Sequence, residues 1–286
     1  MSTPRSFRFV TLVAIALFGI VLAFAAPGRA QEIDADRPHV GTGTHIVPVG
    51  QVQFELGGQY QSFGAGASTQ SPALLRFGIA RGVEARIATD GWLTATEGGH
   101  TAGGMGNVQL GVKLRLIGGP DEPLLSLLPA INIGVASREK GLGSGANDAT
   151  ATLLAGRALG ARTHVEANYG VGRIGDPDAG AFTQHLVTAA VTHEIVRRLT
   201  IYVEDAWWSR QQAGGGAVGF VDYGAIYAVS PRVLLDGGAF TGVTAATADY
   251  GLFAGVSFVI GDPLRPGNRA RAARAASAAS PTPARR

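Results

Sequence analysis

Asn107-Val-Gln-Leu-Gly-Val-Lys-Leu-Arg-Leu116 is the stretch whose reading decides the fold. Val108, Leu110, Val112, Leu114 and Leu116 fall on one side, and Asn107, Gln109, Gly111, Lys113 and Arg115 on the other. A period of two is the pleat of a β-strand. The alternation recurs outward in both directions. Val52, Phe54, Leu56 and Tyr60 oppose Gln51, Gln53, Glu55 and Gln59. Val83, Ala85 and Ile87 oppose Glu84, Arg86 and Asp90, and Val165, Ala167, Tyr169 and Val171 oppose His164, Glu166 and Asn168. Weaker runs are Ala73–Ala80, Ala130–Ala136, Ala149–Arg157, His185–Thr192, Leu199–Ala206, Phe220–Ala228, Val233–Phe240 and Tyr250–Ile260, which gives twelve candidate strands.

Most of these runs are 8–11 residues long, near the roughly 9–11 that a tilted strand needs to cross a bilayer and above the about 5–6 of a globular strand. The links alternate in length. Ser62–Gln70, Leu93–Gly106, Ser137–Ala146, Arg173–Thr183, Ser209–Ala217 and Gly242–Asp249 are long, polar and glycine-rich. Arg81-Gly82, Ile117–Leu124, Ala158–Ala161, Glu194–Arg198 and Val229–Arg232 are shorter. Tight periplasmic turns alternating with larger outer loops mark a transmembrane barrel. A soluble sandwich would also alternate, with its apolar face inside. Three features favour lipid instead. The apolar faces carry Val, Leu, Ala and Ile without dense aromatic filling. The polar faces carry both charge signs. Aromatic residues gather near strand ends. The expected fold is therefore an all-β, antiparallel up-and-down transmembrane barrel of about twelve strands.

The expected organisation is a signal peptide over 1–30, an N-terminal periplasmic or lumenal segment over 31–49, the barrel over 50–260 and a disordered tail over 261–286. Arg5 and Arg8 precede the charge-free run Phe9–Ala26, and Gly28-Arg29-Ala30 offers a small-residue cleavage site. Charge is uneven along the chain. Residues 31–260 carry a net of −5, while the tail holds six Arg and one Asp. The sequence pI of about 9.5 thus reflects the two ends, and no basic face for nucleic acid is expected. The tail reads as a solvated extension or as a contact for anionic headgroups, at about 1 kcal/mol per Arg near a charged surface.

Chemistry is scarce. Zero cysteine among 286 residues excludes disulfides, thiolate metal sites and a cysteine nucleophile. His193-Glu194 begins like a zinc-protease helix, but Arg197 stands where the second His belongs. Gly143-Ser144-Gly145 has no helix after it, and Lys140–Gly145 lacks the Gly-Lys-Ser/Thr of a phosphate loop. The histidines at 39, 45, 100, 164, 185 and 193 are dispersed. No cofactor, no metal and no catalytic residues are expected. The candidate lumen-lining residues are Glu55, Arg76, Glu84, Arg86, Lys113, Arg115, His164, Glu166, Glu204 and Asp236, either as an ion-paired wall or as setters of cation preference. Tyr60, Trp92, Trp207, Trp208, Tyr227 and Tyr250 are the candidate interfacial girdle.

Several stretches resemble a known family, the outer-membrane β-barrel transporters of the MetA pathway of phenol degradation. They are Asp36-Arg37-Pro38, Val47-Pro-Val-Gly50 with Gln51-Val-Gln-Phe-Glu55, Leu75–Arg86, Gly106–Arg115, Asp222–Asp236 and Tyr250–Phe258. The likeness spans most of 36–260 and carries no substrate-contact set. It implies residence in the outer membrane and passage or binding of small molecules, aromatic or hydrophobic ones among them. The implied partners are outer-membrane lipids, a small-molecule solute and the assembly machinery. One departure is that Phe258 is followed by Val259, Ile260 and the tail rather than closing the chain. The alternative readings are an enzyme modifying lipid or lipopolysaccharide, and a non-conducting structural barrel.

Overall fold

A computed structural model describes residues 33–64, 66–120 and 122–260. The expected signal peptide and the Arg-rich tail lie outside the described residues.

The described residues from 51 onward form fifteen β segments. The first seven are β1 (Val52–Phe63), β2 (Gly66–Gln70), β3 (Ala73–Ala80), β4 (Val83–Thr89), β5 (Trp92–Glu97), β6 (His100–Met105) and β7 (Val108–Gly118). Then follow β8 (Pro123–Ile133), β9 (Asp148–Ala158), β10 (Thr163–Asp176), β11 (Gly180–Val196), β12 (Leu199–Trp208), β13 (Val218–Ser230), β14 (Val233–Gly242) and β15 (Tyr250–Ile260). Every pairing between these segments is antiparallel, and β15 returns to β1, so the sheet closes. Closure leaves no open edge to face hydrocarbon, where each unpaired backbone group costs several kcal/mol. Phe54 and Phe258, partners across the seam, stack with ring centroids 5.6 Å apart.

The wall has twelve strands, because three pairs of segments each make one strand with a break. The lower half of β1 pairs with β3 and its upper half with β2. The breaks at Ser71-Pro72, Asp90-Gly91 and Gly106-Asn107 lie side by side, stitched by Ser71 N to Trp92 O, Asp90 N to Asn107 O and Gly106 N to Gly91 O. Pro72 has no N–H to give a ladder. Gly91 has φ +68°, and a Cβ there would run into the Ser71 carbonyl, so only glycine fits. Above the break, β5 and β6 form a hairpin that extends the wall.

Two boundary expectations are corrected. The fifth strand of the wall, β8, is Pro123–Ile133 rather than Ala130–Ala136. Its opening Leu-Leu-Ser-Leu-Leu is too uniformly apolar to show period two. Three stretches expected as long loops are largely strand: β1 runs into the 62–70 interval and β2 fills it, β5 and β6 occupy 93–106, and β10 and β11 extend into 173–183. These extensions carry Thr, Gly and Ser, and threonine pairs such as Thr69–Thr94 (2.7 Å) and Thr96–Thr101 (2.9 Å) tie them together. The longer loops are 134–147, 209–217 and 243–249, all at the end opposite the seam's chain termini.

The pleat is inside-out relative to a soluble protein. Inward Glu55, Glu84, Lys113 and Ser126 are completely buried, whereas outward Ile201, Val203, Leu110, Ile131 and Leu252 are 44–56% exposed. Apolar residues form the outer belt, as a lipid-facing wall requires.

Candidate functional site

The site is the lumen, and much of it is occupied by the chain's own residues 34–47. This segment has no regular secondary structure. It circles the inside of the half nearest the short turns, which is the periplasmic half in barrels of this architecture. Its backbone groups are held by side chains pointing in from the wall. Asp36 N and Arg37 N donate to the two oxygens of Glu55 (3.2 and 2.9 Å). Val40 N and Gly41 N donate to Glu204 (both 2.7 Å), and Thr42 N donates to Asn168 (2.6 Å). Thr44 O accepts from Ser126 (2.9 Å), and Val47 N donates to Glu84 (2.8 Å). Contact thus passes from β1 through β12, β10 and β8 to β4, and the chain then enters β1 just after Gln51. Hydrogen bonds to a charged partner contribute about 1.5–3 kcal/mol each when water is excluded, so these tethers seat the segment firmly.

On one side the polar groups balance, three acids against three bases. Arg76 is the hub. Its Nε meets Glu84 at 2.8 Å, Nη1 meets Glu55 at 3.1 Å, and Nη1 and Nη2 also donate to the Asp34 and His45 carbonyls. Lys113 Nζ binds Asp36 at 3.1 Å and the Gly43 carbonyl at 2.8 Å. Arg86 pairs with Glu84 at 3.0 Å and with Asp36. Burial alone would raise the Asp36 pKa, but Arg76, Lys113 and Arg86 together outweigh it and hold the carboxyl well below the usual carboxylate range.

Elsewhere Arg37 reaches along the wall, across β15, to Asp236 on β14 at 2.9 Å. It lies over Gly57 and Gly255, register partners on β1 and β15, where any Cβ would overlap its guanidinium. His45 on the segment contacts Asp34 at 3.2 Å, and its ring lies 6.3 Å from that of His164. His164 in turn lies 3.4 Å from Glu166.

Of the lumen candidates, the structure thus brings Glu55, Arg76, Glu84, Arg86 and Lys113 into one network. Glu204 and Asp236 meet the inner segment separately, and His164 pairs with Glu166. Arg115 stands apart at a short turn, donating to the Gly119 carbonyl at 3.3 Å. Among the girdle candidates, Tyr60, Trp92, Trp207, Tyr227 and Tyr250 are outward and 37–48% exposed. Trp208 does not join them. It follows Trp207 directly, so the pleat sends it inward, where it lies 5.7 Å from Phe220. Phe220 in turn lies 4.8 Å from Phe240. The sequence reading passed over Asp36, Arg37, Asn168, Tyr202 and Asp222 as site residues. The signal for the first two was present: adjacent opposite charges, closing the acidic run Glu32–Asp36, at the head of a glycine-bearing, strand-free stretch.

A family model described as "Putative MetA-pathway of phenol degradation" matches residues 35–260. The chain belongs to this family. The match begins within the inner segment, so the phenol-degradation family model takes in that segment together with the whole wall. Similar solved structures include the COG4313 outer membrane channel from Pseudomonas putida F1, at 11% identity and TM-score 0.55, covering 80% of this chain and 100% of that one. The NanC porin is similar at 13% identity and TM-score 0.51, covering 72% of this chain and 98% of that one. At these identities the likeness is one of fold, the outer-membrane barrel. No curated protein matches the chain.

Proposed function

We propose that this protein is an outer-membrane barrel for passive passage of small molecules, and that residues 34–47 set how far its bore is open. The observation that carries this reading is a polar, ion-bearing wall facing a lumen whose periplasmic half is lined by a tethered segment of the same chain. A merely structural barrel would be served by side-chain filling, as in eight-strand barrels, whereas twelve strands leave a wider interior. The charged groups then set the barrier to a diffusing solute, with no energy coupling. The family description and the solved channels support passage, small aromatic compounds being one candidate cargo. Lipids outside, a solute inside and the assembly machinery are the partners this reading requires.

Planar-bilayer recording tests it. Mature protein should give small currents, and a variant lacking residues 33–48 should give severalfold larger, stable single-channel steps. Absence of current and of solute flux from both forms would overturn the reading in favour of a non-conducting barrel.

A further inference from the structure

The lumen wall is not electrically uniform. Asp36, Glu55 and Glu84 are matched by Arg76, Arg86 and Lys113, but the sector of β12–β14 carries Glu204, Asp222 and Asp236 with Arg37 as the only Lys or Arg paired there among the described residues. Asp236 has Arg37, and Glu204 has the Val40 and Gly41 amides. Asp222 has neither a cation nor a donor on its Oδ1, although it is only 2% exposed and stands directly opposite Glu204 in the β12–β13 ladder. The Tyr202 hydroxyl, on the same inward face two residues from Glu204, is also buried without a hydrogen-bond partner. It lies in the field of Asp222, Glu204 and Asp236, with Arg37 opposing them. His39, edge-on to the Tyr202 ring at 4.5 Å, leaves its Nε2 equally unpaired. A carboxyl buried beside a second carboxylate either holds a proton or takes a positive partner, since isolated buried charge is strongly disfavoured.

What stands next to Asp222 narrows the partner. Its register partner on β14 is Phe240, and Phe220 lies two residues before it on the same face. Those two rings are 4.8 Å apart, and Trp208 extends the group at 5.7 Å from Phe220. A negatively charged group at the foot of an aromatic cluster suits a cation with an apolar body, because ring faces attract cations and shed water. Among the described residues no group of three or more His, Cys, Asp or Glu is placed to hold a metal ion.

We infer that Asp222, with Tyr202 and the Phe220–Phe240–Trp208 cluster, forms a lumenal subsite for a small organic ammonium cation. The inference deepens the passage reading and rests on it: the subsite gives the lumen a preference for amine-bearing solutes on the side where the wall is unbalanced.

Calorimetric titration of the mature protein in detergent micelles with 2-phenylethylammonium, and with 2-phenylethanol as the uncharged counterpart, tests this at constant ionic strength. The ammonium should bind saturably at one site and the alcohol about tenfold or more weaker. Asp222→Asn should weaken the ammonium about tenfold while leaving the alcohol unchanged. Phe220→Leu should weaken both, and it supplies a second reading should Asp222→Asn lose the heat-modifiable gel shift of a folded barrel. Equal binding of ammonium and alcohol by the unsubstituted protein would overturn the inference, as would no saturable binding at all, which would leave a proton or water beside Asp222. Bilayer currents separate the two claims. Conduction without ammonium binding defeats the subsite alone, and ammonium binding with no current in intact or truncated protein defeats passage alone.

Discussion

Arg76 shows how much of this molecule turns on single buried charges. Its guanidinium is 1% exposed and serves Glu84, Glu55 and the Asp34 and His45 carbonyls together. Arg76→Met would strand two carboxylates, and breaking a buried pair in this way costs about 3–5 kcal/mol. Guanidinium unfolding in micelles should report a loss of that order, with Glu84→Gln partly restoring stability in the double variant. Asp36 sets a pH limit. Its folded pKa lies below its unfolded one, so its contribution is complete above the ordinary carboxylate value of about 3.9 and is lost as pH falls through the depressed value. Currents through the intact protein should therefore stay small from neutral pH to about pH 4 and rise only in stronger acid. Asp36→Asn should give the larger currents already at neutral pH. The inward identity of Glu55, Arg76, Glu84, Arg86 and Lys113 was legible because each alternates with apolar neighbours. Asp222 was not singled out, since Phe220 and Ile226 on the same face blur the polar side of its strand. Trp208 was misread because two consecutive tryptophans look like one interfacial pair, while the pleat must divide them.

Among the elements, the inner segment and the broken strands carry the features that distinguish this barrel. Gly57→Val would place a side chain where the Arg37 guanidinium lies, separating it from Asp236. Thermolysin should then cut near Ile46 and Val47 in the folded variant and leave the unsubstituted protein intact there. Unchanged resistance would show that the Arg37–Asp236 pair does not hold the segment. The sequence made twelve strands visible wherever one face meets lipid, because only there must residues alternate. β2, β5 and β6 escaped notice since neither of their faces needs to be apolar. Gly-Ala-Ser-Thr-Gln and His-Thr-Ala-Gly-Gly-Met read as loops by composition. The inner segment was expected near or in the lumen, but its course was not legible. Its tethers join Arg37 to Asp236 and Val40 to Glu204, separations of 199 and 164 residues that no local pattern announces.

For the whole molecule, polarity is the organising fact: charge inside, aliphatic surface outside, and a closed ladder between them. The absence of cysteine makes this directly measurable, since any introduced cysteine is the only one present. Single-cysteine nitroxide labels at Ile201, Val203, Glu204 and Ala206 along β12, read by electron paramagnetic resonance power saturation in reconstituted bilayers, test the central claim most directly. Labels at 201 and 203 should relax with dissolved oxygen and ignore a water-soluble nickel chelate. Labels at 204 and 206 should be shielded from oxygen and gain contact with the chelate once residues 33–48 are deleted. Oxygen-accessible labels at 204 and 206 with water-exposed labels at 201 and 203 would contradict the account.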